Sequence, residues 1–246
     1  MLHRPFTLLF SCSLMLWALT GCNGTEQAAG NSTDVVAQEI KEVKAENKAM
    51  LDDARKIIQS GDLVLRTGTD YSSEQIKALS KQDATYSHGG IAFVDSGVVY
   101  VCHVETDYFH ITNKVKKEPL DSFCNPAKNL GFAVARYTLT DEEKKKFLDY
   151  LNQRQAQQVA FDIKFDLATD DKMYCSEMIY KGLAAATNKR IQIATDRITD
   201  RNKFKLIKRY FKLTEKQIVA RDIIPIDHLY LNPWCTVLKR YPFQTL

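Results

Sequence analysis

Several familiar signatures are missing from this sequence, and each absence removes a class of protein. No internal repeat is present, so solenoid and propeller architectures are excluded. No C-x-x-C pair occurs, which argues against zinc ribbons and thioredoxin-like redox sites. Neither sign of charge dominates: 34 basic residues face 30 acidic ones, and no nucleic-acid partner is implied. After residue 21 no apolar stretch approaches the length of a membrane span. Asp162, Asp166, Asp170 and Asp171 crowd one region without EF-hand spacing, so capping and loop hydrogen bonds are their expected roles.

What is present begins with residues 1–21. His3 and Arg4 precede an apolar run from Phe6 to Leu19, the length of a signal-peptide core. The run ends in Leu19-Thr20-Gly21-Cys22, which resembles a bacterial lipobox and makes Cys22 the expected lipidation site. Removing the signal takes away Arg4 alone, leaving 33 basic and 30 acidic side chains. The expected product is anchored to the cell envelope, at the outer membrane or cell surface, with the lipid holding it to the membrane. Of the six cysteines, Cys12 leaves with the signal and Cys22 carries lipid. Cys102, Cys124, Cys175 and Cys235 remain, and one disulfide among Cys102, Cys124 and Cys235 is permitted but not specified.

Residues 22–33 are small, polar and aperiodic, as in a flexible tether. Residues 34–60 place Val36, Ile40, Val43, Met50, Leu51, Ala54, Ile57 and Ile58 at helical spacing, with Ser32, Thr33 or Asp34 as N-cap. This amphipathic helix either packs on the domain or stands as a stalk. Residues 61–246 read as one domain. Strands are expected at Asp62–Arg66, His88–Val94, Val98–Glu105 and Phe132–Tyr137, with Asp95-Ser96-Gly97 forming a hairpin turn. A helical turn is expected around Ser73–Leu79, and helices from Thr140 to about Gln158 and from about Tyr174 to Ala186. Residues 223–231 and 236–241 read as extended. Antiparallel strands followed by segregated helices indicate an α+β domain.

Chemistry is concentrated in two places. Cys175 opens a helix whose apolar face includes Met178, Ile179, Gly182, Leu183 and Ala186. A helix N-terminus and a neighbouring imidazole both favour a thiolate. A buried helix cysteine is more often a small core residue. His88 enters a strand ahead of Gly89 and Gly90, which clear space for a close approach. A histidine base needs a third group to fix its tautomer. His103 and Glu105 lie on the hairpin partner strand, on one face, and a one-residue bulge would exchange them. Residues 188–222 carry 11 basic and 4 acidic side chains, either a solvated insertion or a surface for anionic headgroups.

The order Gly61-Asp62-Leu63, Ser87-His88-Gly89-Gly90-Ile91, Tyr174-Cys175-Ser176-Glu177 resembles the circularly permuted papain-like hydrolases. These form the YiiX/YebB-like branch of the NlpC-type amidase superfamily, related to lecithin:retinol acyltransferase. The resemblance spans about Gly61 to Tyr241. It implies a papain-like antiparallel sheet packed with helices, with the histidine strand preceding the cysteine helix. It also implies Cys175 as nucleophile, His88 as base, His103 as the third residue with Glu105 second, and no metal or other cofactor. The Cys175 backbone N–H is the expected oxyanion donor, with Tyr174 and Tyr86 as candidates for a second, although packing is the commoner role for a tyrosine. The implied activity is hydrolysis of an amide through a thioester, the substrate being a cell-wall peptide or a lipid acyl amide or ester. An acyltransferase and a non-catalytic binding lipoprotein are the alternatives.

Overall fold

The computed structural model describes residues 26–105, 113–200, 208 and 213–245. The signal segment and Cys22 lie outside the described residues, as does much of the basic segment. The chain divides into two units, residues 1–41 and 42–246. Helix α1 runs Glu26–Ile57, so much of the stretch read as a tether is helical, and Ser32, Thr33 and Asp34 lie inside the helix rather than capping it. Val35 and Val36 are exposed, whereas Leu51, Ala54 and Ile58 are buried in the core of the second unit. The C-terminal turns of this helix therefore pack on the domain. Among the described residues no helix is long and apolar enough to cross a membrane.

The domain is built on a six-stranded antiparallel sheet. In chain order its strands are β1 (Leu63–Gly68), β2 (His88–Asp95), β3 (Val98–His103), β4 (Lys116–Pro119), β5 (Asn129–Tyr137) and β10 (Cys235–Pro242). They lie side by side as β10-β5-β1-β2-β3-β4. Leu63, Val64 and Leu65 are all fully buried because β1 is central and both sheet faces are covered. On one face Leu63, Leu65, Ile91 and Ala133 pack with helices α4 (Asp141–Ala156) and α5 (Cys175–Ala186). On the other, Val64, Ala92, Val101 and Val134 pack with the end of α1 and with α3 (Leu120–Phe123).

Local chemistry explains the boundaries. Helix α2 (Tyr71–Lys77) starts where Asp70 accepts the Ser73 N–H, and α4 starts at a full capping box between Thr140 and Glu143. Gly61 has φ +93°, and the Asp62 beside it is buried, with Arg136 of β5 bonding both carboxylate oxygens at 2.7 Å. That part of the Gly61-Asp62-Leu63 motif is thus structural. Smaller elements are β6 (Ala160–Phe161) with β7 (Lys172–Met173), β8 (Asp196–Arg197) with β9 (Asp222–Ile223), and α6 (Glu215–Val219). Residues 223–231, read as extended, contain a 3-10 turn at Ile226–Leu229 in which Asp227 accepts the Lys81 and Gln82 N–H groups. β4 and α3 were not anticipated.

The acidic cluster behaves as loop chemistry demands. Asp162 accepts the Lys164 and Asp166 N–H groups, Asp166 meets Arg221, and Asp170 meets Lys181. In the basic segment, Arg190, Arg197, Lys208 and Arg221 each face a carboxylate. Cys102, Cys124, Cys175 and Cys235 are all free thiols.

Candidate active site

His88 is the first residue of β2, and Cys175 is the first of α5. Both line one cavity of about 450 Å³. The imidazole is held by the sheet register. β2 pairs with β3 through Ile91↔Cys102, and continuing that register sets His103 opposite Gly90 and Glu105 opposite His88. A Cβ at Gly90 would stand 2.5 Å from Val101 Cγ1 and 3.0 Å from His103 Cβ. Glycine there lets the His88 ring reach diagonally to His103, where Nε2 of His88 and Nδ1 of His103 are 2.9 Å apart. Glu105, directly opposite, stays 4.0 Å from His88 Nε2 and pairs with Arg66 and Lys116. Strand alternation alone could not separate His103 from Glu105, because both do face His88.

Phe123 of α3 supports this arrangement. Its ring centroid lies 5.6 Å from that of His88 and 4.9 Å from that of His103, and the Arg66 guanidinium lies over it. His103 is fully buried, and its Nε2 sits 2.9 Å from Glu118 Oε1, close but short of hydrogen-bond alignment. Lys116 Nζ reaches both Glu105 and Glu118. Burial alone would raise the Glu105 carboxyl, but the two imidazoles, Arg66 and Lys116 together hold it well below the usual range. Burial would raise Glu118 too, but His103 and Lys116 together lower it.

The thiol is seated differently. Tyr174 and Ser176 flank Cys175 and both grip Ile224: its N–H donates to the Tyr174 hydroxyl at 3.0 Å, and Ser176 Oγ donates to its carbonyl at 2.6 Å. Glu177, fully buried, accepts the Tyr174 N–H and pairs with Lys181. The backbone N–H groups of Gly89 and Ser176 favour the ionised sulfur. Burial nevertheless pushes the Cys175 thiol up to about 11, and burial takes His88 well below the ordinary imidazole value. Burial thus works against the thiolate that the helix N-terminus favours, and against a charged imidazole.

Of the two tyrosines named as oxyanion candidates, Tyr86 is misplaced: its hydroxyl accepts from Arg240 at 2.9 Å, and it does not line the cavity. Tyr174 does line the cavity, but its hydroxyl is engaged by Ile224. Glu118, Arg66, Phe123 and Ile224 were missed by sequence reasoning. Nothing local in Lys116-Lys117-Glu118 pointed Glu118 at His103.

This antiparallel sheet, with a histidine strand ahead of a cysteine helix, defines a papain-like α+β fold in permuted order. The sequence profile of the permuted papain-like amidase enzymes (YaeF/YiiX, peptidase family C92) matches residues 57–224, and the chain belongs to that family. Among solved structures, the crystal structure of the metalloprotein yiiX from Escherichia coli O157:H7 shares the fold. It is 18% identical, with a TM-score of 0.60 over 74% of this chain and 97% of that one. No curated protein matches the chain in sequence. Family membership makes this an amidase- or peptidase-like enzyme.

Proposed function

We propose that the chain is a cysteine amidase in which Cys175 attacks an amide carbonyl and His88 carries the proton. The observation that carries this reading is the common cavity of Cys175, at a helix N-terminus, and His88, whose Nε2 is tied to His103. As Sγ bonds to the carbonyl carbon, the thiol proton passes to His88 Nδ1. The first turn of α5 leaves backbone N–H groups without intrahelical acceptors, and that of Cys175 is the oxyanion donor. His88 then protonates the leaving nitrogen, the C–N bond breaks, and a thioester remains. Water attacks the thioester, giving its proton to His88, and the sulfur recovers a proton as the acid departs. Thiol and imidazole draw together when substrate fills the cavity.

Thr69, Ser72, Ser73 and Ser87 line the cavity beside Arg66 and Lys128, with Ile76, Phe161 and Phe165 opposing them. This mixed, hydroxyl-rich lining favours a peptide amide over a long acyl chain. Transfer of the acyl group to an added amine, in place of free acid, would instead indicate an acyltransferase. Lipidation at Cys22 and an envelope location complete the proposal; mass spectrometry of the mature N-terminus tests them.

Iodoacetamide labelling tests the pair without a known substrate. Burial raises the thiols of all four cysteines, but of the four only Cys175 lines the cavity beside His88. Cys175 should alkylate fastest, and His88→Ala should slow it. Equal rates at all four cysteines would reject the proposal.

A metal ion is the second reading, because the related yiiX structure is described as a metalloprotein and His88, His103 and Glu105 bring ligand atoms within 4.8 Å of one another. Two imidazoles and a carboxylate suit a zinc-like ion. Here, however, the imidazoles bond each other and Glu105 is paired with Arg66 and Lys116, which fits a cation poorly. Stoichiometric metal in the purified protein would favour this reading.

A further inference from the structure

We infer that Glu118 is a positioning residue that sets, through two successive imidazoles, which nitrogen of His88 carries the hydrogen and which is left free for the thiol. The inference rests on the proposed Cys175–His88 pair and extends it to an unassigned residue on β4. His103 Nε2 is buried and has no hydrogen-bond partner in line, and a buried polar atom requires one. The Glu118 carboxylate, 2.9 Å away and partly exposed, is an acceptor within reach. Lys116 Nζ, 3.3 Å from the other oxygen, favours the ionised form.

A carboxylate only accepts hydrogen bonds, so His103 Nε2 must carry a hydrogen. A neutral imidazole carries one, which leaves His103 Nδ1 as an acceptor. The 2.9 Å contact to His88 then requires His88 Nε2 to donate. His88 Nε2 holds the hydrogen, and Nδ1 is left with the free lone pair that a base needs. Without Glu118 the opposite arrangement becomes available: His103 Nδ1 donates, and His88 carries its hydrogen on Nδ1, where it cannot accept the thiol proton. Glu105 cannot take this role, because its carboxylate lies beside His88 and is paired with Arg66 and Lys116.

Long-range 1H–15N spectra of the histidine-labelled full-length protein read both tautomers directly. The wild type should show hydrogens on Nε2 of His88 and of His103; Nδ1–H at His88 would overturn the inference with no variant needed. Glu118→Gln keeps an acceptor and should preserve the pattern. Glu118→Leu should scramble both tautomers and slow Cys175 alkylation about tenfold or more, since a wrongly held tautomer costs a comparable triad about 10⁴ in rate. Unchanged tautomers in Glu118→Leu would also overturn it. Scrambled tautomers with unchanged alkylation would uphold the role of Glu118 and count against the Cys175–His88 pair, which separates the two failures.

Discussion

The two faces of the sheet hold their contributions to the cavity by different means. On the α3 face, His88, His103 and Glu118 form a chain of side chains across three neighbouring strands, backed by Phe123. On the α5 face, the sulfur has no such side-chain support; its neighbours Tyr174 and Ser176 clamp the backbone of a single distant residue, Ile224. The imidazole is oriented by a chain of side chains, whereas the thiol is placed by its neighbours' grip on one stretch of backbone. Substitutions on the first face should therefore alter reactivity through orientation, and those on the second through position.

The largest break in this comparison is expected from Phe123→Ala. Phe123 is 1% exposed, and removing such a ring costs about 3–5 kcal/mol. Thermal denaturation should show the loss, and the surviving folded fraction should alkylate Cys175 more slowly as the imidazoles lose their support. A folded variant with unaltered alkylation would show that Phe123 does not help orient His88.

An intermediate effect is expected on the thiol face. Burial raises Glu177 from 4.5 to about 7 despite Lys181, so its ionisation opposes folding. Stability from this group is full below pH 4.5 and declines as pH rises to about 7. The whole shift corresponds to about 3 kcal/mol at most. Glu177→Gln keeps an acceptor for the Tyr174 N–H and should flatten the pH profile of the melting temperature over that window. A parallel profile would contradict the assignment.

The smallest change is Ser176→Ala, which removes one arm of the clamp. A buried hydrogen bond contributes about 1 kcal/mol, although leaving the Ile224 carbonyl unpaired adds to that. Its signature should be slower Cys175 alkylation with unchanged histidine tautomers. If tautomers shift as well, the two faces are not independent.

Much of this was legible in the sequence, and the boundary has physical causes. His88 and Cys175 stood out because glycines beside a strand histidine and a cysteine at a helix start are local patterns. The Thr140 helix start and the Asp95-Ser96-Gly97 hairpin were readable for the same reason. The choice of His103 over Glu105 depended on Gly90 clearing a diagonal path, a property of register. Glu118 and Ile224 act across 15 and 48 residues of chain, beyond any local spacing rule. The burial that opposes a thiolate at Cys175 was not legible, because sequence shows which groups are neighbours but not how little water surrounds them.

The Ile224 clamp has a further consequence in time. The chain is made N-terminus first, and a domain can complete only those parts whose residues are already present. His88, His103, Phe123 and Glu118 are all present once residue 123 has been made. The seat of Cys175 waits another hundred or so residues for Ile224, and β5 acquires its edge partner β10 later still. The growing chain thus contains the residues around His88 long before those that seat Cys175, so the two are brought together only when nearly the whole domain exists.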